Sequence, residues 1–206
     1  MKILIYGIKK TAKNIAKVIY QEKVYEIAGF IGNKEEVKKF KNKRIFLNYH
    51  LLGTLEEINN IKKNDNQING FIIGTGDAIR KEGLYYEFEK NNFIPVNVIA
   101  KSSSISLKSK IGKGVFVGEN SKIKNVEIGN NVFIGNYSII KENSKISNNT
   151  IIESKTVIEK NTKIQRGVKI SDNCKIKKNI TVGKNNKIKS KSIIKKNLEP
   201  IQRYSN

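Results

Sequence analysis

The hydrophobic positions of this chain repeat every six residues across the segment 105–198. An aliphatic residue opens each unit, and every step is six residues long except the step from Ile123 to Ile128, which is five. A second, mostly small residue follows four places after each opener. A period of six does not place the aliphatic residues on one face of a 3.6-residue α-helix. Repeats too small to bury their own apolar face are typical of a parallel β-helix.

A polar triplet lies between the two positions of each unit, and its last member is repeatedly asparagine. The asparagines in that place are Asn120, Asn131, Asn143, Asn149, Asn161, Asn173, Asn179, Asn185 and Asn197. Asparagine adopts the left-handed backbone conformation at lower cost than most residues. Each unit is therefore predicted to form one short strand and one corner, with the aliphatic side chain inside and the corner in water.

The segment 1–104 lacks this repeat and alternates strand-like with helix-like patterns. Apolar strands are predicted at 2–6, 25–31, 69–76 and 94–99, and residues 45 and 46 can start another. Helices are predicted at 11–20, after a Thr54 cap, and after an Asp77 cap. This alternation predicts a small parallel sheet of βαβ units. We place domain boundaries to give an α/β domain at 1–104, a β-helix at 105–198 and a tail at 199–206.

Composition narrows the class of protein. The formal net charge is +22, from 40 basic and 18 acidic residues, but lysine is spread through the whole chain. The repeat lacks the interleaved aromatic residues with which single-strand binders stack bases, which argues against nucleic acid and leaves phosphate-bearing ligands or acidic polymers as partners. Cys174, the single cysteine, is expected to be a buried thiol, so no disulfide or cysteine metal site is predicted. Because no apolar run reaches membrane-spanning length or resembles a signal peptide, a cytoplasmic location is expected.

The order and spacing of several segments carry a resemblance over nearly the whole chain. They read KILIYGIKKTAKNIAKVI, YEIAGFIGNKEE, LLGTLEEI, FIIGTGDAIRKE, VIAKSSSIS and IIKKNLEP. The chain resembles a bacterial family of sugar acetyltransferases that includes sialic acid O-acetyltransferases and UDP-4-amino-sugar N-acetyltransferases. The resemblance implies a Rossmann-like nucleotide-sugar domain joined to a left-handed β-helix that forms a homotrimer. It also implies acetyl-CoA as co-substrate and a nucleotide sugar or sialic-acid-like sugar as acceptor.

The family's catalytic base is a histidine at a β-helix corner, and the matching segment here is 139–143, with Glu142 in the histidine's place. A carboxylate can act as a general base, although its ordinary pKa of about 4.3 makes it a weak one. The alternative is that Glu142 is a solvated corner residue. The single histidine, His50, lies in the first domain and has no counterpart in the motif.

The resemblance also locates two binding regions. The nucleotide-sugar turn of the family is glycine-rich, whereas this chain keeps Gly7 and has Lys9 and Lys10 where glycines would let the backbone approach a phosphate. Asn33 stands where relatives carry an acidic residue that contacts the base. For acetyl-CoA the corresponding corner residues are Lys160, Gly167 and Lys189.

Three functions remain open from the sequence. The first is an acetyl-CoA-dependent sugar N- or O-acetyltransferase of surface glycan biosynthesis, with Glu142 as its base. The second is a catalytically inactive relative that binds a sugar nucleotide or serves as a trimeric scaffold. The third is a structural solenoid that binds an anionic polymer.

Overall fold

A computed structural model of the protein describes residues 1–41 and 43–201. The chain divides into two compact units: the first contains Met1–Gly76 and Gly83–Val98, and the second contains Asp77–Glu82 and the chain from Ile99 onward. Of the predicted tail at 199–206, the last five residues lie outside the described part. The boundary that we place after residue 104 stays a prediction.

The first unit is a six-stranded sheet with helical connections. Its strands are β1 (Lys2–Tyr6), β2 (Glu26–Gly32), β3 (Arg44–Phe46), β4 (Tyr49–Thr54), β5 (Ile68–Ile73) and β6 (Ile94–Pro95). Its helices are α1 (Lys10–Glu22), α2 (Lys34–Phe40), a 3-10 turn (Leu55–Glu57), α3 (Ile58–Asn64) and α4 (Lys81–Lys90), which starts in the second unit. The strand order is β3-β4-β2-β1-β5-β6, and every pairing is parallel except β3 with β4. The chain adds β2, β4 and β3 on one side of β1 and then adds β5 and β6 on the other side of β1, so the strand order reverses at β1.

Most of the elements predicted for this unit are confirmed, and the exceptions have local causes. Helix α2, which lies in a lysine-rich segment, and strand β4 are not among the predicted elements. Asp77 does not cap helix α4, because its carboxylate accepts hydrogen bonds from the N–H groups of Ile79 and Arg80 in a preceding turn. The single strand predicted at 94–99 is divided into β6 and β7 (Val98–Ile99), and β7 pairs with the β-helix.

The second unit is a left-handed parallel β-helix with three faces of two-residue strands. The first face contains β7, β10 (Phe116–Val117), β13 (Phe133–Ile134), β16 (Ile151–Ile152), β19 (Lys169–Ile170) and β22 (Lys187–Ile188). The second face contains β8 (Ser104–Ile105), β11 (Lys122–Ile123), β14 (Ile139–Ile140), β17 (Val157–Ile158), β20 (Lys175–Ile176) and β23 (Ile193–Ile194). The third face contains β9 (Lys110–Ile111), β12 (Glu127–Ile128), β15 (Lys145–Ile146), β18 (Lys163–Ile164) and β21 (Thr181–Val182). Its hand is opposite to that of most parallel crossovers.

The aliphatic openers stack in register inside this prism, as predicted. Ile134 pairs with Ile152, and Ile152 pairs with Ile170, so these residues form one fully buried column. The small residues beside them are also buried, and their hydroxyl groups reach the next coil: Thr156 Oγ1 donates to the carbonyl of Ser171 at 3.1 Å. Cys174 occupies one of these positions and is buried. The repeat also starts one strand earlier than predicted, since Ile99 lies six residues before Ile105.

The corners form three columns of residues with positive φ, each defined by its members. The first corner column, between the first and second faces, contains Asn120, Tyr137, Lys155, Asn173 and Lys191. The second corner column, between the second and third faces, contains Asn125, Asn143, Asn161 and Asn179. The third corner column, between the third and first faces, contains Gly114, Asn131, Asn149, Gly167 and Asn185. The predicted corner asparagines are confirmed except Asn197, which is absent from this positive-φ set.

Candidate functional site

The residues predicted to bind the nucleotide sugar lie at the carboxyl edge of the first unit's sheet. Gly7 follows β1 with a φ of 102°, and its N–H donates to the Ile31 carbonyl at 2.7 Å. A Cβ at Gly7 would lie 2.8 Å from the carbonyl oxygen of Gly74, the residue that follows β5. The close approach of this backbone therefore requires glycine at position 7. The carboxyl ends of strands at such a reversal form the usual ligand crevice of open α/β sheets.

The two predicted lysines and Asn33 occupy helix starts along this edge. Lys9 is the N-cap of α1, where its side chain makes no capping bond, and both Lys9 and Lys10 are exposed. Asn33 is the N-cap of α2, and its side-chain oxygen accepts a 2.8 Å bond from the Glu36 N–H. The Glu36 carboxylate accepts in return from the Asn33 N–H at 3.0 Å, which completes a capping box. The oxygen of Asn33 is therefore engaged in a local structural role, and only its amide nitrogen is left as a donor toward a ligand.

Glu142 lies at the second corner, between β14 and Asn143, and is half-buried. Its backbone carbonyl accepts a 3.0 Å bond from the Asn161 N–H of the next coil, so its backbone is held in the corner ladder. Among the described residues, its carboxylate has no ion-pair partner. His50 is exposed on β4, opposite Arg44.

Side-chain oxygens cap some of the backbone N–H groups at each corner, and at the second corner Glu159 Oε2 accepts from the Lys178 N–H at 3.2 Å. At the third corner the N–H of Lys113 is capped by Asn130 Oδ1 at 2.9 Å, and at the first corner the N–H of Glu119 is capped by Asn136 Oδ1 at 3.1 Å. No described side chain accepts from the N–H of Lys160, the residue one coil after Glu142. The second corner therefore presents an uncapped backbone donor beside a carboxylate.

The predicted acetyl-CoA residues do not come together. Lys160 adjoins the second corner column, Gly167 belongs to the third, and Lys189 leads into the first corner. Lys160 and Lys189 are exposed, whereas Gly167 is buried. Of the three, only Lys160 neighbours Glu142, since the Asn161 N–H next to it donates to the Glu142 carbonyl.

Two adjoining cavities at the third corner were not predicted. One, of about 610 Å³, runs along the third face and includes Lys110, Glu127 and Lys145, and the other, of about 390 Å³, includes Asn149 and Gly167. Both include Glu82, Arg166 and Lys184, and Arg166 pairs with Glu82 at 2.8 Å. The segment 77–82, which supplies Glu82, is separated from the β-helix along the chain and packs with it only after folding, so no pattern in the sequence predicts this contact.

Lys81, next to Glu82, is a buried amine. Its backbone carbonyl accepts a 2.9 Å bond from the Asn131 side chain at the third corner. Burial lowers the pKa of the Lys81 ammonium to about 7, because the charged form loses hydration.

The outward residues of the β-helix differ in polarity from face to face. The third face carries Lys110, Glu127, Lys145, Lys163 and Thr181. The second face carries partly exposed aliphatic side chains at Ile139, Val157 and Ile193, and Ile193 is 56 % exposed. Among the described residues, no helix is long and apolar enough to cross a bilayer.

Comparison with known proteins agrees with this geometry. A family model described as bacterial transferase hexapeptide (six repeats) matches residues 108–142 and 125–160. Residues 108–160 of the β-helix are therefore similar to the hexapeptide repeats of bacterial transferases. No curated protein sequence matches the chain.

Solved structures match the chain along nearly its whole length. The acetyltransferase domain of PglB from Neisseria gonorrhoeae FA1090, in complex with acetyl coenzyme A, has a TM-score of 0.82 at 14 % identity and covers 96 % of this chain and 92 % of its own. A mutant GDP-perosamine N-acetyltransferase from Caulobacter crescentus, in complex with CoA and GDP-perosamine, has a TM-score of 0.76 at 14 % identity, with coverage of 97 % and 91 %. WeeI from Acinetobacter baumannii AYE has a TM-score of 0.62 at 16 % identity and covers 97 % of each chain. At these identities the likeness establishes a shared fold.

Proposed function

We propose that the chain is a cytoplasmic acetyltransferase that moves an acetyl group from acetyl-CoA to an amine or hydroxyl of a nucleotide-linked amino sugar or sialic-acid-like sugar. The observation that carries the proposal is the likeness of the fold, along nearly the whole chain, to an acetyltransferase domain in complex with acetyl coenzyme A and to a GDP-perosamine N-acetyltransferase in complex with CoA and GDP-perosamine. The transferase-type repeats of the β-helix add support. The scaffold alternative has no such support.

In the proposed reaction, the Glu142 carboxylate accepts the proton of the attacking amine or hydroxyl. The new N–C or O–C bond forms as the nucleophile adds to the thioester carbonyl, and the C–S bond then breaks to release the CoA thiolate, which takes up the proton. The uncapped N–H of Lys160 is a donor one coil from Glu142, suited to the oxyanion of the tetrahedral intermediate. In other acyl-transfer enzymes, one preorganised donor of this kind lowers the activation barrier by about 3 kcal/mol.

Substrate binding is assigned to both units. Gly7, Lys9, Lys10 and Asn33 are proposed to hold the nucleotide portion, with the lysines supplying charge where the family uses backbone N–H groups. Lys160 is proposed to contact acetyl-CoA beside Glu142. Gly167 and Lys189 lie at other corners, so a role for them requires a different part of the CoA molecule or a neighbouring copy.

A homotrimer is also part of the proposal. Three of the outward positions on the second face are aliphatic, Ile139, Val157 and Ile193, and Ile193 is more than half exposed. Burying these side chains against further copies is favourable at roughly 25 cal/mol per Å² of apolar surface. Light scattering is expected to give three times the chain mass, and a monomeric mass would remove this part of the proposal.

The test of function combines binding with turnover. Calorimetry is expected to show binding of acetyl-CoA and of a UDP-sugar, and the absence of both would reject the acetyltransferase assignment. Glu142→Gln is expected to lower kcat by at least about a hundredfold, the usual contribution of a general base, without changing acetyl-CoA affinity. Glu199→Gln, at an exposed carboxylate in the tail that follows the β-helix, is the control. Unchanged turnover in Glu142→Gln would assign the base elsewhere.

A further inference from the structure

The five-residue step shortens the second corner in the coil directly before Glu142. Strand pairing sets Ile123 opposite Ile140, and Glu127 opposite Lys145, so three residues span this corner where the next coil uses four. Lys124 follows β11 just as Lys141 follows β14, and the Lys124 N–H donates to the Ile140 carbonyl at 3.0 Å.

Hydrogen bonds locate the missing residue. The Asn143 N–H donates to the Asn125 carbonyl at 2.9 Å, and the Asn125 amide donates to Asn143 Oδ1 at 3.2 Å, so these two asparagines are stacked. Lys124 is therefore matched with Lys141, and Asn125 with Asn143. Glu142 is the residue left without a counterpart in the shorter coil, and we call this missing position in the corner column the gap.

The two lysines beside this gap are not neutralised. Glu159 lies one coil after Lys141, but its carboxylate contacts Lys175 Nζ at 3.2 Å and accepts from the Lys178 N–H at 3.2 Å. Burial raises the pKa of Glu159, but these bonds outweigh it and hold that pKa below its usual value. No described carboxylate lies within ion-pair distance of Lys124 or Lys141.

Elsewhere on the β-helix, some lysines of neighbouring coils are neutralised by a carboxylate, although strand pairing also sets Lys145 opposite Lys163 and Lys169 opposite Lys187. Glu127 meets Lys145 at 3.1 Å, and Glu153 meets Lys169 at 3.2 Å. Like charges directly opposite each other on neighbouring strands are destabilising. A stacked Lys124–Lys141 pair therefore favours an anion that bridges the two ammonium groups.

We propose that Lys124 and Lys141 bind an anionic group of the acceptor, and that the gap beside Glu142 admits the acceptor's amine or hydroxyl to the carboxylate. This inference rests on the proposed acetyl transfer and specifies its acceptor: a sugar that bears a carboxylate or a phosphate close to the acetylated group. Lysine suits either anion, because an ammonium acts as a point charge without the planar geometry of arginine.

The proposed role of Lys124 and Lys141 is tested by measuring the binding of three sugars in the absence of acetyl-CoA. N-acetylneuraminate supplies a carboxylate, UDP-N-acetylglucosamine supplies a pyrophosphate, and N-acetylglucosamine is the neutral reference. The double variant Lys124→Gln/Lys141→Gln is expected to weaken one of the anionic probes by about tenfold, in line with the loss of charge-assisted contacts, and to leave the neutral sugar unchanged. The probe that responds identifies the anion.

The matched control is Lys178→Gln/Lys196→Gln, which removes two exposed lysines from the same corner in later coils. An equal loss in this control would show a general charge effect and overturn the proposal. No loss with either anionic probe in the Lys124 and Lys141 variant would overturn it as well.

The gap is tested by inserting one glycine between Lys124 and Asn125, which restores a six-residue step. The insertion is expected to keep or raise Tm, because the corner regains the regular length, while the KM for the acceptor rises at least about tenfold and the acetyl-CoA Kd is unchanged. An unchanged acceptor KM would reject the gap as the entrance. If the proposed function itself is wrong, the wild-type chain will not bind acetyl-CoA, and this result is distinct from an unchanged acceptor KM in the insertion variant.

Discussion

The side chain of Asn131 donates from one nitrogen both to Asn149 Oδ1 at 2.9 Å and to the backbone carbonyl of Lys81 at 2.9 Å. One corner asparagine thus links two coils of the prism to a segment fifty residues earlier in the chain. Asn131 is buried, unlike Asn143 of the second corner column. The same residue type therefore has different energetic weight at different corners.

Asn131→Gly is expected to lower the free energy of unfolding by about 1–3 kcal/mol, because the buried hydrogen bonds from the Asn131 side chain to the Lys81 carbonyl and to Asn149 are lost. Glycine keeps the positive φ of the corner, so the change isolates the side-chain bonds. Asn143→Gly is the matched control and is expected to stay within about 0.5 kcal/mol. Urea unfolding measures both, and equal effects would show that the Lys81 bond contributes nothing.

Gly129→Ala and Gly83→Ala are expected to change stability in opposite directions. A Cβ at Gly129 would lie 2.2 Å from Asn148 Oδ1, whereas nothing lies within 4 Å of a Cβ at Gly83. Asn148 Oδ1 also accepts from the Asn130 N–H at 2.9 Å, so it cannot move without losing that bond. We expect Gly129→Ala to destabilise by about 1–3 kcal/mol and Gly83→Ala, within α4, to stabilise by up to about 1 kcal/mol. Thermal unfolding distinguishes the two, and a neutral Gly129→Ala would contradict the packing argument.

The thiol of Cys174 is expected to resist alkylation in the folded protein. The side chain is buried, Sγ lies 3.0 Å from the Lys189 carbonyl, and burial raises the pKa of the thiol. Because the thiolate is the reactive form, both access and ionisation oppose reaction. Iodoacetamide labelling followed by mass spectrometry is expected to be complete only in guanidinium chloride. Rapid labelling of the native chain would show that the β-helix opens at this coil.

Glu57 is expected to stabilise the first unit only above acidic pH. Bonds from Lys41 Nζ at 2.8 Å and from the Thr54 N–H at 2.7 Å lower the pKa of its carboxyl below the ordinary value of 4.5. Because the folded pKa is the lower one, the stabilisation is present above about 4.5 and is lost as pH falls through the folded value. Unfolding of Glu57→Gln compared with wild type from pH 3 to 7 should show a difference that vanishes at low pH. Glu56→Gln, at a more exposed neighbour, is the control, and a pH-independent difference would contradict the assignment.

Lys9→Gln is expected to weaken UDP-sugar binding by about fivefold and to reduce the salt dependence of binding, since an exposed lysine contributes mainly long-range charge. Lys13→Gln, at an exposed position one turn further along α1, is the control. Calorimetry at two salt concentrations measures both effects. Equal affinities in the two variants would argue that Gly7 and Lys9 form a turn without a ligand.

The β-helix was predictable because its period alone determines which residues face inward. Ile152 and Thr156 are buried as the repeat predicts, and Asn161 has the expected left-handed φ. Helix α2 was not predicted, although its capping box, Asn33 with Glu36, can be read in the sequence. The lysines at positions 34, 38 and 39 of this helix obscure an amphipathic pattern.

The site was less predictable because corner neighbours are set by register. Lys160 and Lys189 look equivalent along the chain, yet they adjoin different corner columns. Glu82 and Arg166, which line both cavities at the third corner, are 84 positions apart in the sequence and come into contact only after folding. The short step at Ile123 was visible in the sequence, but its position opposite Glu142 depends on the strand pairing.

The short corner before Glu142 also bears on how such a protein can change over generations. Within a strand, losing one residue would turn every following side chain to the wrong face. At a corner the same loss leaves Ile123 and Ile128 in their inward columns, because pairing resumes in register at the next strand. Single-residue insertions and deletions at bends therefore give evolution a way to reshape the rim of this prism while its interior stays intact.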